Sequence, residues 1–124
     1  MFIVSSNMDI QLPNVVKIPS NYTESQNYIA ASDLVITKAG WGTVSEAVIF
    51  QKPLLLVDRM YMNEDYNTVN YLKEINHVKL TGLEELKTMV INEDLFRQLA
   101  EQETGISREN AVYMIVERIL KIVF

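Results

Sequence analysis

The sequence predicts an α/β domain built on a three-layer, doubly wound parallel sheet. Short continuous apolar segments recur along the chain, Leu54-Leu55-Leu56-Val57 being the strongest, and strands buried on both faces read this way. Segments with helical spacing separate these runs, which is the pattern of strands joined through crossover helices. Taken in order, the elements read β-β-α-β-α-β-α-β-α-α-α.

Each element has its own reason. Residues 2–5, Phe-Ile-Val-Ser, are apolar and β-branched and open the fold as a strand. Residues 14–19 hold Val15, Val16 and Ile18 and form a second strand, stopped by Pro19. Thr23 and Gln26 have the spacing of a capping box and predict a helix over 24–31. Residues 34–37 are the third strand and 43–50 the helix after it. Pro53 leads into the fourth strand, 54–57. Over 65–75, Tyr66, Val69, Tyr71 and Leu72 recur at helical spacing. Residues 77–80 form a fifth strand. Residues 83–91 and 95–103 read as two short helices, with Asn92 or Asp94 available as a cap. Ser107 is the candidate cap of a last helix striped by Ala111, Ile115, Ile119 and Ile122. No repeat or linker interrupts this order, so residues 1–124 form one domain.

Composition narrows the function. Hydrophobic residues are 48% and charged residues 22%, a globular balance. The net charge of −5 and the lack of any Lys/Arg run argue against a nucleic-acid partner. There is no cysteine and one histidine, so neither thiolate chemistry nor a zinc-type ligand set can be assembled. That histidine, His77, sits at a strand start and reads as a packed or surface residue, not a catalytic one. No Asp-x-Asp occurs. No apolar run approaches the roughly 20 residues of a membrane span, and residues 1–10 lack the pattern of a signal peptide. A cytoplasmic location is expected.

One stretch carries chemistry. Ile36-Thr37-Lys38-Ala39-Gly40-Trp41-Gly42-Thr43-Val44-Ser45-Glu46-Ala47 reads as strand, glycine turn, helix. A helix start carries unpaired N–H groups and about half a positive charge, and glycines let a phosphate approach the backbone. Glu46, one turn beyond Thr43, repels phosphate but accepts hydrogen bonds from a sugar diol. Thr-x-x-Glu is equally the spacing of a capping box, and glycines also make plain tight turns. Both readings stand at this level. The stretch is neither a Walker A loop nor the G-x-G-x-x-G fingerprint.

The longer run ASDLVITKAGWGTVSEAVIFQKPLLLV, residues 31–57, resembles the donor-binding half of GT-B glycosyltransferases, and most closely the glycosyltransferase family 28 C-terminal domain. Asp33, Leu34, Ile36, Ala39, Gly40, Thr43, Glu46, Pro53 and Val57 carry the match. The resemblance implies a Rossmann-like fold in which Gly40, Trp41, Gly42 and Thr43 border the diphosphate and the uracil side of the donor, while Glu46 holds the ribose hydroxyls. A later Gln-x-x-Asn-Ala of the family contacts the donor sugar. Here Asn67, Thr68, Val69, Asn70 and Tyr71 align with it: Asn70 is kept, Asn67 is one methylene shorter than Gln, and Tyr71 replaces a small residue. Asp58 stands where the family has proline. Looser relatives place an arginine and then a glutamate after this strand, a variant that Arg59 and Glu64 match. Arginine suits bidentate phosphate contact. No cofactor or metal is implied, the UDP-sugar being a substrate.

The resemblance also implies a strand ahead of residues 2–5 and an N-terminal acceptor-binding domain carrying the general base. Neither has a counterpart in this sequence. The expectation is therefore a sheet lacking its first strand, and a chain inactive until joined to an acceptor-binding domain or partner subunit. The complete enzyme would transfer a hexose or N-acetylhexosamine from a UDP-sugar to a cell-envelope acceptor, at the inner face of the membrane. Two alternatives stay open: a nucleotide-sugar hydrolase related to the same family, and a non-catalytic interaction domain working through Met60, Tyr61, Met62 and the apolar last helix. A sheet open at its middle also invites homo-oligomers.

Overall fold

The computed structural model describes residues 1–59, 63–102 and 112–123. The elements follow the predicted order: β1 (Phe2–Val4), β2 (Val15–Lys17), α1 (Gln26–Ala31), β3 (Val35–Lys38), α2 (Trp41–Ile49), β4 (Leu54–Val57), α3 (Asn63–Ile75), β5 (Val78–Thr81), α4 (Leu83–Thr88), α5 (Glu93–Ala100) and α6 (Val112–Val123). All strand pairs among the described residues are parallel. They form two sheets instead of the single one expected, β1-β2 and β3-β4-β5. The split falls between β1 and β3, the central place that the resemblance assigns to a strand with no counterpart in this sequence.

The core lies on β4. Leu54, Leu55 and Leu56 are each 0% exposed. Successive strand residues point to opposite faces, so both faces of β4 are covered. On one face Leu54 and Leu56 cluster with Val35 and Val78 of the flanking strands, with Val44 and Ala47 of α2, and with Val69, Leu72 and Ile75 of α3. Leu55 belongs to the other face and is buried outside this cluster, as are Leu95 and Leu99 of α5. That face is less complete at β3, where Ile36 is 39% exposed.

Helix ends depart from the predicted caps in instructive ways. The Thr23–Gln26 capping box does not form: α1 starts two residues later, with Ser25 at its N-cap and no side chain bonded there. Asn92 is the cap of α5, its side chain accepting from the Leu95 N–H at 3.1 Å. The Ser107 cap lies outside the described residues. At the end of α2, Gln51 adopts φ 54°. Its N–H donates to the Val48 carbonyl at 3.0 Å and the Lys52 N–H to the Ala47 carbonyl at 2.8 Å. This is a Schellman motif closed by glutamine where glycine is usual. It turns the chain toward Pro53 and β4. The Asn76 side-chain amide then holds the Lys52 carbonyl at 3.0 Å, tying that turn to the end of α3.

The outer edge of β5 is occupied by a side chain. Gln102 accepts the Val78 N–H through Oε1 at 2.7 Å and donates from Nε2 to the Val78 carbonyl at 2.8 Å. Its amide thus stands in for a peptide unit of a neighbouring strand and blunts the edge.

Two stability effects follow. Gln51→Gly removes a left-handed non-glycine residue and raises stability by about 0.5–1 kcal/mol; urea unfolding reads the midpoint shift. Gln102→Ala strips two hydrogen bonds from the β5 edge and lowers stability by about 1–2 kcal/mol, whereas an unchanged midpoint would show that water replaces the amide without cost.

Candidate functional site

Because the strands are parallel, their carboxyl ends share one edge, and in open α/β sheets ligands bind there. β3 leads through Ala39 and Gly40 into α2. β4 leads through Asp58 and Arg59 toward α3. The Asp58 N–H donates to the Thr81 carbonyl at 2.8 Å, so the chain leaves β4 beside the end of β5. The starts of α2 and α3 thus stand at the same edge as Arg59, which is partly buried two residues beyond Val57.

The start of α2 decides between the two readings of Thr43 and Glu46. The helix begins at Trp41, two residues ahead of the predicted start, with Gly40 as its N-cap at φ −87° and ψ 128°. The Gly40 carbonyl accepts the Val44 N–H at 3.1 Å, which closes the first turn. Thr43 is then the third helical residue and cannot cap, so the Thr43–Glu46 capping box does not exist. At the N-cap of α2 there is no side-chain cap bond. The N–H groups of Trp41, Gly42 and Thr43 therefore open this helix without a side-chain acceptor.

The glycines are equally informative. None of the described glycines has positive φ, so the turn does not require them for its conformation. A Cβ on Gly40 would meet only Lys38 side-chain carbons, at 3.7 Å and beyond, an ordinary contact. A Cβ on Gly42 would meet nothing within 4 Å. Neither backbone geometry nor packing within the protein calls for glycine here. What the glycines supply is bare, approachable backbone.

Residues of this turn leave on different flanks of α2. Val44 and Ala47 face the core. Thr43 turns toward α1 and β1, where it lines a cavity of about 260 Å³ with Ile3, Ser5, Tyr28 and Ile36. Glu46 follows one turn later, partly buried. Trp41 lies on the other flank, where its ring meets Tyr71 of α3 at a centroid distance of 6.0 Å and an interplanar angle of 54°. Trp41 thus covers the surface of a helix and leaves the core alone.

On α3, Thr68, Val69, Leu72 and Ile75 are buried, while Asn67, Asn70 and Tyr71 are exposed. Asn67 and Tyr71 share one flank by their i, i+4 spacing. Asn70 lies most directly away from the core. The Glu64 side chain and Met60, Tyr61 and Met62 fall outside the described residues. His77 is partly buried and its carbonyl accepts the Leu54 N–H at 2.8 Å, in keeping with a packing role. Tyr71, which the helical spacing of 65–75 groups with Val69 and Leu72, is at the surface instead; its i, i+4 relation to Asn67 is the signal for that. Among the described residues no three His, Asp or Glu side chains converge to hold a metal ion, and no helix is long and apolar enough to cross a membrane.

Comparison with known proteins matches this arrangement. Residues 5–117 match the model of the glycosyltransferase family 28 C-terminal domain. The chain is 30% identical over 104 residues to the UDP-N-acetylglucosamine--N-acetylmuramyl-(pentapeptide) pyrophosphoryl-undecaprenol N-acetylglucosamine transferase of Bacteroides fragilis, covering 75% of this chain and 27% of that protein. It is 28% identical over 109 residues to monogalactosyldiacylglycerol synthase 3, chloroplastic, of Arabidopsis thaliana, covering 84% of this chain and 23% of that protein. A shorter similarity, 44% over 54 residues, links 43% of the chain to 5% of the L-arabinokinase of Arabidopsis thaliana. The chain thus spans about a quarter or less of the length of these relatives. No solved structure matches it to significance. The family match runs from the end of β1 into α6 and includes the whole carboxyl edge, and the chain belongs to glycosyltransferase family 28 as its C-terminal domain.

Proposed function

We propose that this domain binds the UDP-sugar donor of a two-domain glycosyltransferase, with the start of α2 gripping the diphosphate and Glu46 the ribose. The observation that carries the reading is the uncapped α2 N-terminus, set on glycine backbone that the fold itself does not need. Breaking the bond between the anomeric carbon and the diphosphate leaves negative charge on the departing phosphate oxygens. Fixed N–H groups at Trp41, Gly42 and Thr43 stabilise that charge without reorganising, and a preorganised dipole of this kind lowers the barrier more than a flexible one. Arg59, at the same edge, is positioned to add a guanidinium to the diphosphate, and Glu64, Asn67 and Asn70 belong to the sugar side. The ribose diol needs acceptors, and the Glu46 carboxylate is free of any capping bond.

In this reading the acceptor and the general base come from an N-terminal domain or a partner subunit, since transfer requires both reactants held in one geometry. The exposed apolar residues Ile115, Ile119 and Ile122 of α6 offer that second body a docking face. The names of two relatives, a pyrophosphoryl-undecaprenol N-acetylglucosamine transferase and a monogalactosyldiacylglycerol synthase, support a lipid acceptor; in this reading it is met from the cytoplasmic side.

An NMR titration with UDP, with GDP and dTDP as controls, tests the donor site. Selective shifts at Gly40, Gly42, Thr43 and Glu46 are expected with UDP; a folded spectrum that does not respond to any of the three nucleotides would overturn the reading. Glu46→Ala is expected to weaken UDP binding several-fold with an unchanged fold, and unaltered affinity would remove the ribose role. Gly42→Val should abolish binding by filling the space above the helix start while leaving the melting temperature near that of the parent, because a Cβ there meets no atom within 4 Å outside the helix's own backbone. Retained affinity in that variant would make the turn purely architectural.

A further inference from the structure

We infer that Trp41 and Tyr71 together form an aromatic platform that stacks against the apolar face of the donor's hexose ring. The inference rests on the donor-binding reading of the α2 turn. The two rings come from separate elements, the first residue of α2 and the middle of α3, yet they meet at 6.0 Å with a tilt of 54°. Both remain about half exposed, 54% for Trp41 and 49% for Tyr71. Their contact therefore buries only part of each ring and leaves a continuous aromatic surface beside the helix start. Aromatic residues in a core are covered, and single exposed ones are scattered; a paired, half-open surface next to a ligand edge is the kind that takes a partly apolar ligand.

Placement selects the sugar end of the donor. α2 sends Thr43 to the flank facing α1 and the cavity lined by Ile3 and Tyr28, and Trp41 to the flank facing α3. Glu46, on the Thr43 side by its i, i+3 spacing, holds the ribose there. A diphosphate lying across the N–H groups of Trp41, Gly42 and Thr43 has two ends. With the nucleoside on the Thr43 and Glu46 side, the hexose emerges on the Trp41 side. Tyr71 waits there, one turn along α3 from Asn67, whose amide can bond the hydroxyls at the ring's rim. The C–H face of a pyranose is apolar while its rim is polar, so two tilted aromatic rings flanked by a carboxamide match both parts.

Because Trp41 is the sole tryptophan, its fluorescence reports the platform directly. UDP, UDP-glucose and UDP-N-acetylglucosamine are titrated against the parent chain and against Tyr71→Ala and Tyr71→Phe. The expected result is that both UDP-sugars perturb Trp41 emission more than UDP does. Tyr71→Ala should weaken the UDP-sugars by about three- to tenfold, the range of one aromatic contact, and leave UDP affinity unchanged. Tyr71→Phe, which keeps the ring, should bind as the parent does. Equal loss for UDP and the UDP-sugars, or no loss for any of them, overturns the platform while the donor site stands. Failure of the parent to bind UDP at all overturns both. Tyr71 is half exposed, so the alanine variant keeps the core of α3 intact, and a circular dichroism melt checks that it does.

Discussion

The complete burial of β4 is the constraint on which the rest of this fold depends. Leu54, Leu55 and Leu56 leave no face of the strand to water, and that requires helices on both sides and a strand at each edge. Parallel neighbours can be joined only through crossovers, so every strand must finish at the same edge. The chemistry gathers there as a consequence: the glycine turn after β3, Arg59 after β4, and the start of α3. The candidate edge is thus a by-product of how the most apolar segment of the chain is buried.

Within that edge, the α2 start has no side-chain bond at its N-cap, a feature it shares with α1 and α4. Helices usually satisfy their first N–H groups with a Ser, Thr, Asp or Asn side chain, as Asn92 does for α5 in this same molecule. At α2 a glycine occupies the cap, and the threonine that could have served lies inside the first turn. The contrast between the two helices is physical. α5 is closed by its own side chain, whereas α2 opens on a glycine, as α4 does on Gly82. Turn closure at the opposite end of α2 falls to Gln51, a strained residue where glycine would have been easier. Glycine in this segment is thus absent where conformation would welcome it and present where conformation does not ask for it.

Membership of family 28 places this domain among proteins several times its length. A donor-binding half can be folded and selective without being a catalyst, because binding energy and reaction geometry are contributed by different bodies. Between the two parallel sheets lies a cavity lined by Ile36 and Thr43. The Trp41 side rests on α2 and α3, both of which contribute to the core cluster.

The sequence by itself determined the order of every element and the central strand of the core. A continuous run such as Leu54–Val57 can be buried in few ways, whereas of the Tyr66, Val69, Tyr71 and Leu72 stripe only Val69 and Leu72 are buried, Tyr66 and Tyr71 lying at the surface. The sequence also made the glycine turn and Glu46 legible as a unit, because helix starts and diol acceptors have a fixed local spacing. Local spacing could not decide which residue caps α2, since Thr43 fits a capping box as well as an anion site. That depended on where β3 releases the chain, which is set by its register against β4. Nor could spacing bring Trp41 to Tyr71, thirty positions apart, or divide the strands into two sheets. Those are consequences of which helix packs beside which, and only the tertiary structure decided them, because contacts between elements depend on the packing of whole faces and leave no periodic mark in either element alone.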